Sequence, residues 1–430
     1  MWTRLKEIYK SREKAYWRVA GVAIGLGVVL GVWLDARDVG MSVRYRIQQV
    51  ALRRLLPTRA EPRWTTLVLI DDSEYWKGSL ARRSPIRRDY LATLLRTVSR
   101  CDPWVMAIDF DLRSPVLDGT LPDNPAYQLE TKKLVEAVRD VSKDHPIVLP
   151  VTISETAVEP SVLDEIPDDP GQVARGNISL PFDYRQIPTS EFLSHRVAVD
   201  SFALATAGLV NPTVLKRFPP DEDFPFAEEF IAPQAFPTIL YREDPSFPSA
   251  RECRNLRHKV VIVGATWHTK GFNRGPLVDA RDYTPMGYAV GAVYLHANYI
   301  EALLESKTYP SLGTIPSLIV EILASILVAV ILAAKSPELL LGVKSAAVLQ
   351  RLTAPVPSWV RVLMAQLAAA AVTAFLLLLL TYVFAQNFGL YSDFFIPVVF
   401  LFIHALWNYW NELRKAAELS SLRSLGVGTP

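Results

Sequence analysis

Histidine and cysteine are scarce in this chain, six and two among 430 residues, and no spacing of His, Cys and Asp matches a zinc site. Glycine is present without the patterns that cradle phosphate. No Gly-x-Gly-x-x-Gly occurs, and the Gly264–Ala265–Thr266 turn after "KVVIV" is not followed by Gly-Lys-Ser/Thr, which excludes nucleotide binding of those kinds. No serine stands in a nucleophile elbow. A surplus of one charge is lacking too: 46 basic residues face 44 acidic ones, leaving +2. So balanced a chain has no electrostatic footprint for nucleic acid. No cofactor is expected.

What the chain has in excess is apolar residues, at 50%, and they are unevenly spread. "WRVAGVAIGLGVVLGVWL" (17–34) is just long enough to cross a bilayer of about 30 Å. It ends in "WLDARD" rather than a small-residue cleavage site, so an uncleaved anchor is expected instead of a signal peptide. Further spans are expected at 315–334, 362–385 and 394–410, the last ending in Trp407, Tyr409 and Trp410, which suit an aromatic belt. Lys335, Lys344, Arg351 and Arg361 fall between the second and third spans, and Arg414, Lys415 and Arg423 follow the fourth. The positive-inside rule therefore places residues 1–16, the loop 335–361 and the tail 411–430 in the cytoplasm, and residues 35–312 outside, at the plasma or inner membrane.

Residues 41–56 put Val43, Ile47 and Val50 at helical spacing opposite arginines, which predicts an amphipathic stalk helix. Beyond it, "TTLVLIDD", "WVMAIDFD", "PIVLPVTI" and "KVVIVGAT" are continuous apolar runs rich in Val and Ile. Such runs read as strands buried on both faces. They alternate with helical segments: one with Ser84 as N-cap and Tyr90, Leu91, Leu94 and Leu95 on one face, and one from Pro125. The order implies an α/β domain with a mainly parallel sheet and helices on both faces. Residues 154–251, rich in Pro and acid, read as long surface loops around a few short strands. "GAVYL" reads as a strand and "HANYIEALLES" as the helix leading to the second span, so both membrane attachments lie on one body.

In parallel sheets, ligands sit beyond the carboxyl ends of the strands. Asp71 and Asp72 end the first strand, Asp109 and Asp111 the second, and these two strands are expected to pair. The four carboxylates form a candidate pocket with Arg87, Thr266 and His296, where His296 opens a helix directly after a strand. They can equally cap loops and helix starts or pair with Arg87 and Arg88. No metal is expected. Cys101 and Cys253 both precede strands at the opposite end of the sheet. A bond between them is permitted outside the cell, but two cysteines do not establish it. Inside the expected spans, Glu321 and His404 differ in depth by roughly one helical turn and are candidates for transmission.

"VLIDDSEYW", "SPIRRDYLATLL", "VMAIDFDL", "KVVIVGAT", "YTPMG" and "GAVYLHANYIEALL" stand in the order seen in the bacterial CHASE domain of class two. This extracytoplasmic sensory module is found on histidine kinases and adenylate cyclases. The layout of one span, a sensor and three spans is similar as well. Two departures stand out. "RRSPIRR" replaces a tryptophan-rich stretch before the family's Pro-x-Arg, and no kinase or cyclase follows the last span. The resemblance thus implies a sensor without enzymatic activity. It would detect an outside ligand and signal through its spans to a separately encoded cytoplasmic effector, with a homodimer as an open option. The rival readings are a membrane-tethered hydrolase using the clustered aspartates, and a scaffold that only recruits partners.

Overall fold

The computed structural model describes residues 14–35, 58–59, 61–113, 125–154, 157–180, 186–193, 197–218, 225–244, 247–281, 284, 289–309 and 314–333, with scattered positions from 375 to 414. The chain divides into two compact units, residues 53–311 and residues 1–52 with 312–430.

The larger unit is built on six strands: β1 (Thr65–Ile70), β2 (Val105–Ile108), β3 (Ile147–Val151), β4 (Val173–Asn177), β5 (Thr238–Leu240) and β6 (Val260–Ala265). Every pairing among them is parallel, in the spatial order β5-β1-β6-β2-β3-β4. Side chains alternate between two faces. Val68, Ile70, Met106, Ile108, Val261 and Val263 pack on one side, under α2 (Arg88–Ser99) and α3 (Pro125–Val141). Leu67, Leu69, Val105, Ala107, Val260 and Ile262 pack on the other, under α4 (Phe202–Val210) and α7 (Ala292–Glu305). Burying each large aliphatic of this set is worth roughly 1.5–3 kcal/mol, which explains why the central strands carry almost no polar residue.

The architecture agrees with the α/β expectation, but four details differ. β6 lies between β1 and β2, so the strands ending in Asp72 and Asp109 do not pair. The stretch 154–251 is far from loop only: it supplies the edge strands β4 and β5, the core helix α4 and the short α5 (Thr213–Arg217). Gly176 allows the close fit there, since a Cβ at that position would stand 2.5 Å from the Phe202 Cα. Ser84 is not a cap, because α2 begins at Arg88 after Arg87 with no side-chain cap. "GAVYL" is not a strand: α7 starts at Ala292, and His296 lies in its second turn.

Two polar contacts fix α7. Glu301 accepts the backbone N–H groups of Arg63, Trp64 and Thr65 at 3.0, 2.7 and 2.7 Å, and the Thr65 hydroxyl at 2.8 Å. Asn298 accepts the Ile231 N–H at 2.6 Å and donates to the Ile231 carbonyl at 3.1 Å. Ile231 belongs to a strap whose two halves hold the two ends of the unit. Phe230–Ile231 pairs in parallel with Thr58–Arg59, and Phe226–Ala227 pairs antiparallel with Thr308–Tyr309.

The smaller unit contains α1 (Lys14–Asp35) and α8 (Thr314–Ala333), which coincide with the first two expected spans. Ala20 and Ala23 of α1 meet Val328, Ala329 and Phe400 in a small core. Glu321 accepts the Ile396 N–H at 2.9 Å, whereas His404 lies outside the described residues. The stalk helix expected at 41–56 and the span expected at 362–385, apart from one position, also lie outside them. Side chains of α1 and α8 are described over 17–30 and 318–329, and among the described residues no helix is long and apolar enough to cross a membrane.

Cys101, before β2, is joined to Cys253 in α6 (Ala250–Leu256), across 152 residues and with Cα atoms 4.8 Å apart. Closing so long a loop restricts the unfolded chain. Replacing both cysteines by serine should lower unfolding stability by about 2–5 kcal/mol. Denaturant melts should show it, and a reducing agent should give the same loss in the parent chain and none in the variant.

Candidate functional site

The first part of the connection between β6 and α7, residues 266–281, lies against the carboxyl ends of β1 and β2. Asp71 starts this region. It forms a two-pronged ion pair with Arg242, at 2.5 and 2.9 Å, and accepts the N–H groups of Ser73 and Glu74. Partial burial pushes its carboxyl up, but the Arg242 guanidinium and these N–H groups outweigh it and hold the pKa below the usual range. Asp72 is buried and latches the covering connection. It accepts the His268 and Asn273 N–H groups at 2.6 and 2.8 Å and meets the His268 Nδ1 at 2.6 Å. Burial raises its pKa, and the three contacts more than reverse that. Aromatic packing completes the latch: Trp267 stacks on Tyr75 at 4.2 Å, and Trp76 Nε1 donates to the His268 carbonyl at 3.0 Å.

Asp109 belongs to a different neighbourhood. Its Oδ1 stands 3.8 Å from His296 Nε2. Neither ring nitrogen of His296, only 1% exposed, makes a hydrogen bond of good geometry, although the Ile178 backbone lies near the ring. Arg281, on the strand that leads back to α7, has its buried Nε unpartnered as well. Gly264 leaves room beside the pair, since a Cβ there would sit 2.8 Å from Val293 and 3.6 Å from the Asp109 Oδ2. Burial raises the Asp109 pKa to about 7, helped by the Asp279 charge and opposed by Arg281. Burial lowers His296 to about 3, which the backbone at Ile178 opposes and Arg281 reinforces. Both groups are therefore neutral in mildly acid solution. Phe202 packs edge-on against the imidazole at 4.9 Å.

The other sequence candidates fall apart from this pair. Asp111 forms an exposed ion pair with Arg113 at 2.6 Å. Arg87 pairs with Asp89 at 2.8 Å and not with the strand-end aspartates, and Arg88 lies over the Tyr127 ring at 4.0 Å. Thr266 extends the sheet, its N–H donating to the Ile70 carbonyl. The four aspartates thus have four separate sets of partners, and the described residues hold no group of three ligands fit for a metal. Arg242, His268, Asp279 and Arg281 complete the region and were not singled out from the sequence. Arg242 is the sole basic residue of the acidic stretch "YREDP", a signal that was present; the others carry no local mark.

A family model, described as the CHASE2 domain, matches residues 20–334. The chain belongs to the CHASE2 domain family. CHASE2 domains are sensory extracellular domains, so the sensory character of this chain holds at the level of its family. No curated protein and no solved structure matches it. The CHASE2 match takes in both α1, from Ala20, and α8.

The Asp109–His296 pair has a pH signature. An aspartate raised from 3.8 to about 7 makes the folded state less favourable as pH rises through that interval. A histidine lowered from 6.5 to about 3 makes it less favourable as pH falls through its own. Together, folded and unfolded pairs hold one proton each between about pH 4 and 6.5, and the contributions cancel. Asp109→Asn should therefore give stability that falls toward acid, and His296→Gln stability that falls toward pH 7, each by up to about 1.4 kcal/mol per pH unit. Urea melts from pH 4 to 7 measure this; slopes of the same sign in both variants would refute the assignment.

Proposed function

We propose that this chain is a membrane-anchored sensor whose body, residues 53–311, lies outside the cell and relays a conformational change to a separate cytoplasmic effector. The strap is the observation that carries the reading. Residues 226–231 hold the incoming segment 58–59 and the outgoing segment 308–309 within one short piece of chain. Lys307 reinforces it, pairing with Glu229 at 2.8 Å and accepting the Glu228 N–H at 3.1 Å on its carbonyl. Asn298 and Glu301 tie strap and β1 to α7, which also carries His296. A ligand that favours one arrangement of the strand-end region over another would bias α7, and through it both connections. The His296 ring nitrogens and the Arg281 Nε, with Asp109 beside them, are the proposed contact point, because unmet buried polar groups gain most from a partner. The latched aspartates Asp71 and Asp72 would position the covering connection.

Two further observations support an extracytoplasmic, membrane-anchored placement. The Cys101–Cys253 disulfide belongs to an oxidising compartment. Large apolar side chains also lie exposed along the helices of the smaller unit: Val22, Leu26 and Val29 on α1, and Ile319, Leu323 and Leu327 on α8, each more than half exposed. Surfaces so apolar suit lipid rather than water. In this reading the spans are 17–34, 315–334, 362–385 and 394–410, with both termini cytoplasmic. Glu321 and His404 would then lie within the bundle.

Single cysteines placed at Thr3 and Ser424 should be protected from a membrane-impermeant thiol reagent in intact cells and react after lysis; labelling of either from outside would overturn the topology. The strap has its own test, in hydrogen exchange on the full chain. Asn298→Ala should speed exchange of the amides at 58–59 and at 308–309 together, by roughly tenfold for the loss of about 1–2 kcal/mol of hydrogen bonding. Faster exchange at one connection alone would mean that the strap does not couple them.

A further inference from the structure

The amino ends of the central strands carry a stacked pair of tryptophans edged by basic side chains. Trp64 precedes β1 and Trp104 precedes β2, and their rings stack with centroids 5.6 Å apart and planes inclined by 20°. Trp104 is 45% exposed, the largest side chain so displayed among the described residues of 53–311. The Arg63 guanidinium lies 5.1 Å from the Trp64 ring, and the His258 ring lies 6.4 Å from Trp104. Lys259 donates its Nζ to the Arg63 carbonyl, and Arg257 stands exposed alongside, opposite Asp102 at 3.5 Å. An indole pair edged by basic groups is amphipathic. It is apolar at the ring faces and net positive at the rim, where Arg63, Arg257 and Lys259 outnumber Asp102, which faces Arg257 and His258.

This same end of the body is where Glu301 grips residues 63–65, close in sequence to the incoming segment 58–59 and the outgoing segment 308–309. An exposed indole fits the boundary between headgroups and acyl chains, and basic side chains at that depth are drawn to anionic lipid. We propose that the Trp64–Trp104 face, with Arg63, Arg257, His258 and Lys259, rests on the anionic phospholipid headgroup layer. The inference depends on the membrane-anchored reading above. Its consequence is that the body is held at the bilayer surface by a second contact besides its covalent connections, and its tilt would become sensitive to lipid charge.

The test uses the full chain reconstituted in phosphatidylcholine vesicles, with and without phosphatidylglycerol. A benzophenone amino acid replaces Trp104 in one sample and Asp111, exposed at the opposite strand ends, in another. After illumination, lipid adducts are expected at position 104 and none at 111. Phosphatidylglycerol should raise the adduct yield at 104 by about fivefold, the effect of one basic side chain at an anionic surface, and high salt should abolish the increase. A chain that fails to float with the vesicles would refute the anchored reading itself. A chain that floats but gives no lipid adduct at 104, an adduct to a second copy instead, or a yield indifferent to phosphatidylglycerol would each overturn the proposed surface.

Discussion

A single carboxylate, that of Glu301, gathers three consecutive backbone N–H groups and a hydroxyl where β1 begins. A buried charge is tolerable only when its hydrogen-bonding capacity is filled, and here the chain itself fills it. The contact does more than satisfy a polar group. A helix lying on a sheet through apolar contacts alone can slide or rotate at little cost, but a carboxylate bound to three successive N–H groups fixes both position and rotation. Asn298, one turn earlier, then meets Ile231, and the strap follows. The amino end of β1, the helix that carries His296, and both connections of the body share one rigid frame because of that carboxylate.

Against that frame, the strand-end region is unevenly settled. On the side of β1, Asp71 and Asp72 are fully engaged, and the covering connection is pinned through His268 and Asn273. On the side of β2, the His296 ring nitrogens and the Arg281 Nε leave hydrogen-bonding capacity unused beside Asp109. Folding has evidently not been optimised there, and departures of this kind are characteristic of places where a protein does something else. A movement that met those needs would begin on α7, the element whose other end is most firmly tied. The fixed end would turn a local adjustment into a rotation rather than absorb it.

The sequence disclosed the parts whose physics is local. β1, β2, β3 and β6 are doubly buried, so each reads as an unbroken apolar run, and α3 shows its 3.6-residue period from Pro125. β4, "VARGN", and β5, "TIL", are short edge strands with one side unpaired, and their composition resembles that of the loops around them. α4, "FALATAGLV", is apolar all round and so has no period to betray it. Partners at the site are remote: Arg242 is 171 residues from Asp71 and His268 is 196 from Asp72. Strand ends rich in aspartate therefore looked like one cluster, because their answering groups arrive from another part of the chain. The insertion of β6 between β1 and β2 is equally invisible locally, and it moved the expected pocket apart.

That insertion also governs the order in which the molecule can come into being. β1 has two neighbours, β5 and β6, and both lie beyond residue 237. During synthesis, this fully buried central strand emerges early and stays bare along both edges until nearly the whole body has followed it. The unit cannot ripen piece by piece from its amino end, as a chain of local hairpins or helices would. It must wait, with a sticky template exposed, for its last strand to slip into the middle. Residues 53–311 are thus a poor subject for truncation from the carboxyl side: trimming past β6 would remove the keystone of the sheet and leave β1 and β2 side by side with no bond between them.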